Sequence, residues 1–148
     1  ISAASRTVTS DTLFVAMVGT QVDGHHYITQ AVEAGSNVIV CEQPPDVVMP
    51  SITYVVVPNS AQALGIIASN FYGRPSAQLT LVAVTGTNGK TSTVHLLLGL
   101  FRQLGHRVGM LSTIHNQVHN QVLPATHTTP DAIQLHRLLA RMVAEGCQ

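Results

Sequence analysis

One stretch constrains the fold of this chain more than any other: "LTLVAVTGTNGKTSTVHLLLGL", residues 79–100. The apolar run 79–84 reads as a strand, and apolar residues at helical spacing predict a helix over about 90–104. Between them lies a loop with glycines at 86 and 89, followed by lysine and threonine. Strand, glycine loop and helix in that order form a phosphate-binding unit, because glycines let backbone N–H groups converge on an anion at a helix start. Lys90 would place a point charge near β- and γ-phosphates, and the Thr91 hydroxyl would ligate Mg²⁺. The residues expected to hold the nucleotide are Gly86, Thr87, Asn88, Gly89, Lys90, Thr91 and Ser92, with Lys90 and Thr91 acting in the chemistry. The general pattern has one more glycine, where this chain carries Val84.

A second alternation of strand and helix precedes the loop. "DTLFVAMVG" reads as a buried strand, "HYITQAVEAG" as a short helix closed by Gly35, "NVIVCE" as the next strand and "ITYVVV" as another. In "NSAQALGIIASNFYG" the apolar residues recur at helical spacing, with Asn59 or Ser60 as N-cap and Gly73 beyond the end. The polar "GRPSAQ" that follows places a domain boundary near Pro75, giving domains 1–76 and 77–148. After the loop helix, "RVGMLST" reads as a strand and "HNQVHNQV" as an exposed ribbon or hairpin. The last helix has Thr129 as expected N-cap, Pro130 at its first position and an apolar stripe from Ala132 to Val143.

Composition excludes several function classes. Only 9% of the 148 residues are charged and the formal net charge is zero, so no basic field grips a nucleic-acid backbone. No apolar run approaches the roughly 20 residues of a membrane span, and the N-terminus lacks the apolar core of a signal peptide. A cytoplasmic chain is expected, with Cys41 and Cys147 as reduced thiols and Cys41 in a core. The eight histidines are scattered, and neither the adjacent His25 and His26 nor the His115 and His119 pair suits a zinc site.

Read as "TGTNGKT", the loop resembles the ATP loop of the Mur ligase family, in which the first glycine is usually absent. The N-terminal part, with "SRT", "VGTQVDGHHYI" and "NVIVCE", resembles the UDP-binding domain of the MurE and MurF types. "NFYGRPSAQLTLVAVTGTNGKTST", "GMLSTIHN" and "PATHTTPDAIQLHRLLARMVAEG" are similar to the MurE type in particular.

The resemblance implies an α/β fold: a small UDP-binding domain followed by the start of a P-loop parallel-sheet ATPase domain. It implies an ATP- and Mg²⁺-dependent ligase of peptidoglycan synthesis. Such an enzyme adds diaminopimelate or lysine to UDP-N-acetylmuramoyl-L-alanyl-D-glutamate through an acyl phosphate. Ser5 and Arg6 match the family's Asp-Ser-Arg, whose serine helps bind the uridine diphosphate, with Ala4 in place of the aspartate. Thr20, Gln21 and Val22 fall on the segment touching the uridine nucleotide, and His127, Thr128 and Thr129 on the segment contacting the UDP-sugar. The family's acidic Mg²⁺ ligand, carbamylated lysine and amino-acid-selecting domain have no counterpart here. The chain is therefore expected to be an incomplete portion, monomeric and inactive alone. Two other readings stay open: a nucleotide or UDP-sugar binding module without turnover, and another Mur-type ligase, of MurF or cyanophycin-synthetase kind. A small P-loop kinase is disfavoured, because no lid segment follows the loop helix.

Overall fold

The computed structural model describes residues 1–19, 22–124 and 130–148. The chain forms two compact units, Ile1–Ala68 and Ser69–Gln148.

The first unit is built on a parallel sheet in the order β1-β2-β3, with β1 at Leu13–Val15, β2 at Val38–Cys41 and β3 at Thr53–Val56. Phe14 pairs with Ile39, and Ile39 with Tyr54. Parallel neighbours need a crossover, and α1 (Ile28–Glu33) supplies it between β1 and β2. Because side chains alternate along a strand, Phe14, Ala16, Ile39 and Cys41 share one face, where they form a buried cluster with Val8 and with Ile28 and Ala31 of α1. Val15 and Val40 are equally buried on the other face, as are Leu64 and Ala68 of α2 (Ser60–Phe71). The Asn59 side chain caps α2 by accepting the Gln62 N–H at 2.8 Å.

In the second unit α3 spans Lys90–Gln103, and a hairpin joins β4 (His115–Val118) to β5 (Gln121–Pro124). The hairpin expected in "HNQVHNQV" forms, with His119 in the left-handed region at its turn. It is not the exposed ribbon that its polar composition suggests: Asn116, Gln117 and Val118 are buried. Val118 joins Leu139, Met142 and Cys147 in an apolar cluster. The stripe on α4 (Ala132–Ala144) therefore faces the hairpin side of this unit.

Two expectations need correction here. The helix α4 starts at Ala132 and its N-cap is Asp131, whose carboxylate accepts the Gln134 N–H at 2.8 Å. The cap lies two residues beyond Thr129, which is itself outside the described residues. Neither 79–84 nor "RVGMLST" forms a strand, apart from a single antiparallel bridge between Met110 and Gln117. A strand exists only when a neighbouring backbone takes up its N–H and C=O groups, and no described residue does so for 79–84. Leu81 and Val82 stay 57% and 60% exposed beside an apolar cavity of about 590 Å³ lined also by Val94, Leu97, Phe101 and Met110.

Candidate functional site

The glycine loop has the geometry its sequence demands. Gly86 has φ +139° and Gly89 φ +80°, conformations that side-chain-bearing residues rarely adopt, and a Cβ at Gly89 would meet nothing within 4 Å. The space beside Gly89 is therefore unfilled. Gly89 is the N-cap of α3 and contributes no side-chain cap, and the first helical bond runs from Thr93 N–H to the Gly89 carbonyl. The N–H groups of Lys90, Thr91 and Ser92 thus begin a 14-residue helix without an intrahelical acceptor, where the helix dipole adds positive potential. Thr87, Asn88 and Ser92 are exposed around this opening.

The Lys90 ammonium folds back on its own loop, donating to the Gly86 carbonyl at 2.5 Å and to the Thr87 carbonyl at 3.2 Å. Both partners are neutral acceptors, weaker than a phosphate oxygen for a cation. The Thr91 side chain makes no hydrogen bond among the described residues, while its carbonyl accepts from or faces His95 Nδ1 at 2.7 Å. The Thr91 hydroxyl, at the start of α3, is an oxygen donor of the kind Mg²⁺ accepts.

In the first unit Ser5 opens a short 3₁₀ turn (Ser5–Thr7), and its hydroxyl donates to Gln30 Oε1 of α1 at 2.8 Å. Where the family pattern has an aspartate, the Ala4 backbone is held instead by Ser2, which is buried. Its Oγ accepts the Ala4 N–H at 3.1 Å and donates to the Ala4 carbonyl at 2.9 Å. Val22 stands 53% exposed in the turn that follows β1. No hydrogen bond among the described residues joins Ser5 to Val22. Thr20 and Gln21, like His127, Thr128 and Thr129, lie outside the described residues.

Sequence reasoning missed a polar network beneath Val22. Asp23 Oδ1 accepts the His25 backbone N–H at 2.9 Å and lies 2.6 Å from His25 Nδ1. His25 Nε2 accepts from the N–H of Glu42 at 2.9 Å and of Gln43 at 3.3 Å, so the proton of the neutral ring sits on Nδ1. Glu42 Oε1 in turn accepts from the backbone and hydroxyl of Ser60, at 2.8 and 2.7 Å. The His25 backbone N–H, and then its ring, hold the Asp23 carboxyl below its ordinary range. The Ser60 backbone N–H, and then its hydroxyl, do the same for Glu42. The available signal was the "DGH" of the N-terminal pattern, which marks the UDP-binding domain by resemblance but says nothing about what the histidine touches.

A glycine loop running into an uncapped helix start, in a chain whose first unit is a parallel sheet with a helical crossover, points to the class of α/β proteins with a P-loop. Two family models match this chain, "Mur ligase family, catalytic domain" over residues 1–72 and "Mur ligase middle domain" over residues 84–148. The chain belongs to the Mur ligase family. It is 50% identical, over all of its 148 residues, to a UDP-N-acetylmuramoyl-L-alanyl-D-glutamate–2,6-diaminopimelate ligase from Parabacteroides distasonis. It is 42% identical over 144 residues to the enzyme of the same name from Geobacillus thermodenitrificans. The chain spans about 30% of the length of these curated relatives. A solved structure of a ligase of that name superposes with a TM-score of 0.80 at 27% identity, covering 99% of this chain and 29% of the other. The MurF ligase from Thermotoga maritima in complex with ADP shares the fold, with a TM-score of 0.60 at 23% identity, over 93% of this chain and 28% of its own.

Proposed function

We propose that this chain supplies the uridine-nucleotide and ATP sites of a ligase that adds diaminopimelate to UDP-N-acetylmuramoyl-L-alanyl-D-glutamate. The observation that carries the reading is the glycine loop opening onto an uncapped α3, in a chain 50% identical along its whole length to a ligase of that name. The names of the relatives favour diaminopimelate over lysine.

In this reading Gly86, Thr87, Asn88 and Gly89 wrap the phosphates, with the N–H groups of Lys90, Thr91 and Ser92 directed at them. Lys90 leaves the Gly86 and Thr87 carbonyls for the phosphate oxygens and offsets charge as the γ-phosphoryl passes to the glutamate carboxylate. The amine then attacks the acyl phosphate, forming the amide and releasing inorganic phosphate. Thr91 would hold a Mg²⁺ ion, which when bound would supply charge stabilisation to the transferring phosphoryl group. Ser5, Thr20, Gln21 and Val22 meet the uridine diphosphate, and His127, Thr128 and Thr129 the sugar side of the substrate. The domains divide near residue 76, and the enzyme works as a monomer in the cytoplasm; no helix among the described residues is long and apolar enough to cross a membrane.

The scarcity of acidic residues in 69–148 supports a second statement: the 148-residue chain binds nucleotide without turning it over. Amide formation by the complete reading frame, assayed with ATP, Mg²⁺, the UDP-dipeptide and either diaminopimelate or lysine, tests the main reading. Absence of product with both amines would refute it, and product from the 148-residue chain alone would refute the second.

A further inference from the structure

We propose that His25 is a positioning residue for the uridine end of the substrate, locking the stem of the turn that presents Val22. The inference rests on the assignment of Val22 to the uridine site.

The turn after β1 is closed at its base by a bridge between Val18 and Asp23. Gly19 N–H reaches the Val22 carbonyl at 3.1 Å, and Gly24 N–H the Met17 carbonyl at 2.8 Å. Both feet of this stem are tied to the same place, the end of β2. On one side Val18 N–H donates to Ser60 Oγ at 3.3 Å, and Ser60 binds the Glu42 carboxylate. On the other side Asp23 holds His25 Nδ1, while His25 Nε2 takes the backbone N–H of Glu42 and Gln43. Val18, Ser60, Glu42, His25 and Asp23 form a closed ring of contacts, and His25 is the member that joins the stem to the β2 backbone.

The chemistry needs an imidazole. One nitrogen must donate to a carboxylate while the other accepts two N–H groups, and a neutral histidine ring does both at once. Ser60 is 1% exposed and the His25 side chain 14%, whereas the Asp23 side chain is 41% exposed, so the ring is largely withdrawn from water while its carboxylate partner is not. The ring of contacts lies just beyond the C-terminal ends of β1 and β2, the edge at which open parallel sheets bind ligands, and not in the apolar core. Removing the imidazole leaves two N–H groups at the end of β2 without their acceptor and the Asp23 foot without its tether. The stem at Val18 and Asp23 then loses its tie to β2 before the fold loses its core.

The test uses the complete protein with UDP as probe. UDP affinity, the KM values for UDP-dipeptide and ATP, and kcat are measured for wild type, His25→Ala, His25→Asn and His25→Gln. The expected result for His25→Ala is a roughly tenfold loss of UDP affinity with a matching rise in KM for the UDP-dipeptide, and little change in the KM for ATP or in kcat at saturation. His25→Gln, which restores an acceptor near the β2 N–H groups, recovers part of the loss. UDP binding within twofold of wild type in folded His25→Ala, or in both conservative variants should the alanine variant not fold, overturns the inference and leaves the site assignment standing. Failure of the wild type to bind UDP or the UDP-dipeptide overturns both. Ring ¹⁵N shifts of the wild type give a check free of ligand: Nδ1 protonated and Nε2 bare is expected, and the opposite tautomer refutes the geometry.

Discussion

Replacing Asp131 by alanine removes the cap of α4 at its first turn. Asp131 Oδ1 lies 2.8 Å from Gln134 N, with Asp131 in the extended conformation (φ −64°, ψ 169°) of an N-cap. Loss of such a cap costs about 0.5–2 kcal/mol, and loss of a carboxylate at a helix start roughly 0.3–1 kcal/mol more. The expected total for Asp131→Ala is about 1–3 kcal/mol. Because α4 carries Leu139 and Met142 into the apolar cluster of its unit, the cost reaches tertiary stability and not helicity alone. Asn caps as well as Asp, so Asp131→Asn should lose only the charge contribution. Thr129→Ala should cost nothing through the helix. Urea unfolding of the 148-residue chain followed by circular dichroism reads all three as shifts in midpoint at constant slope. An unchanged midpoint for Asp131→Ala, or a loss above about 1 kcal/mol for Thr129→Ala, would refute the assignment of the cap. Success has a functional corollary. With the cap at Asp131, Thr128→Ala and Thr129→Ala in the complete enzyme should each raise the KM for the UDP-sugar substrate and leave the KM for ATP nearly unchanged.

Lys90→Ala should lower phosphoryl transfer by about 10²–10³-fold in single-turnover assays of the complete enzyme, with little effect on melting, since its partners are exposed loop carbonyls. Gly24→Ala should destabilise by about 1–3 kcal/mol, because a Cβ there would lie 2.7 Å from Met17 N and 2.8 Å from its carbonyl oxygen. Gly65→Ala in α2, with nothing within 4 Å, should be neutral or stabilising by the same urea measurement. Asp23 and Glu42 have folded pKa values below their ordinary 3.8 and 4.5, so the unfolded chain binds more protons as pH falls. Their contribution is full above about pH 5 and is lost on acidification through the folded values, so Glu42→Gln should flatten the fall of melting temperature below that pH. Burial pushes the Cys41 thiol up, and Cys41 should react with a thiol reagent only on unfolding; rapid labelling of the native chain at Cys41 would contradict its place in the core.

The parts of this fold that were legible in the sequence are those set by short-range rules. Helical spacing located α2, α3 and α4 because a 3.6-residue period needs no knowledge of the partner. Glycines 86 and 89 were legible because positive φ restricts residue choice at the position itself. What failed were statements that depend on a distant backbone. The run 79–84 has the composition of a strand, yet composition records a preference for burial, while a strand is a set of bonds to another segment, and no described segment supplies them. Asp131 and Thr129 are both good caps by residue type, and only the point at which the chain turns helical decides between them. The network around His25 is the extreme case. It joins Val18 to Ser60, 42 residues apart, and His25 to Glu42, 17 apart, through hydrogen bonds with no periodicity. A histidine in a run such as "DGHH" invites a question about metals, because that is the question local spacing can answer. Its assignment as a tether requires knowing that the end of β2 arrives beside it, and that arrival is decided by the parallel pairing of β1 with β2 through the α1 crossover. The geometry is thus inherited from the sheet: Val22 stands beside a stem whose feet, Val18 and Asp23, are tied to the end of β2, and that tie is visible only once the strands are paired.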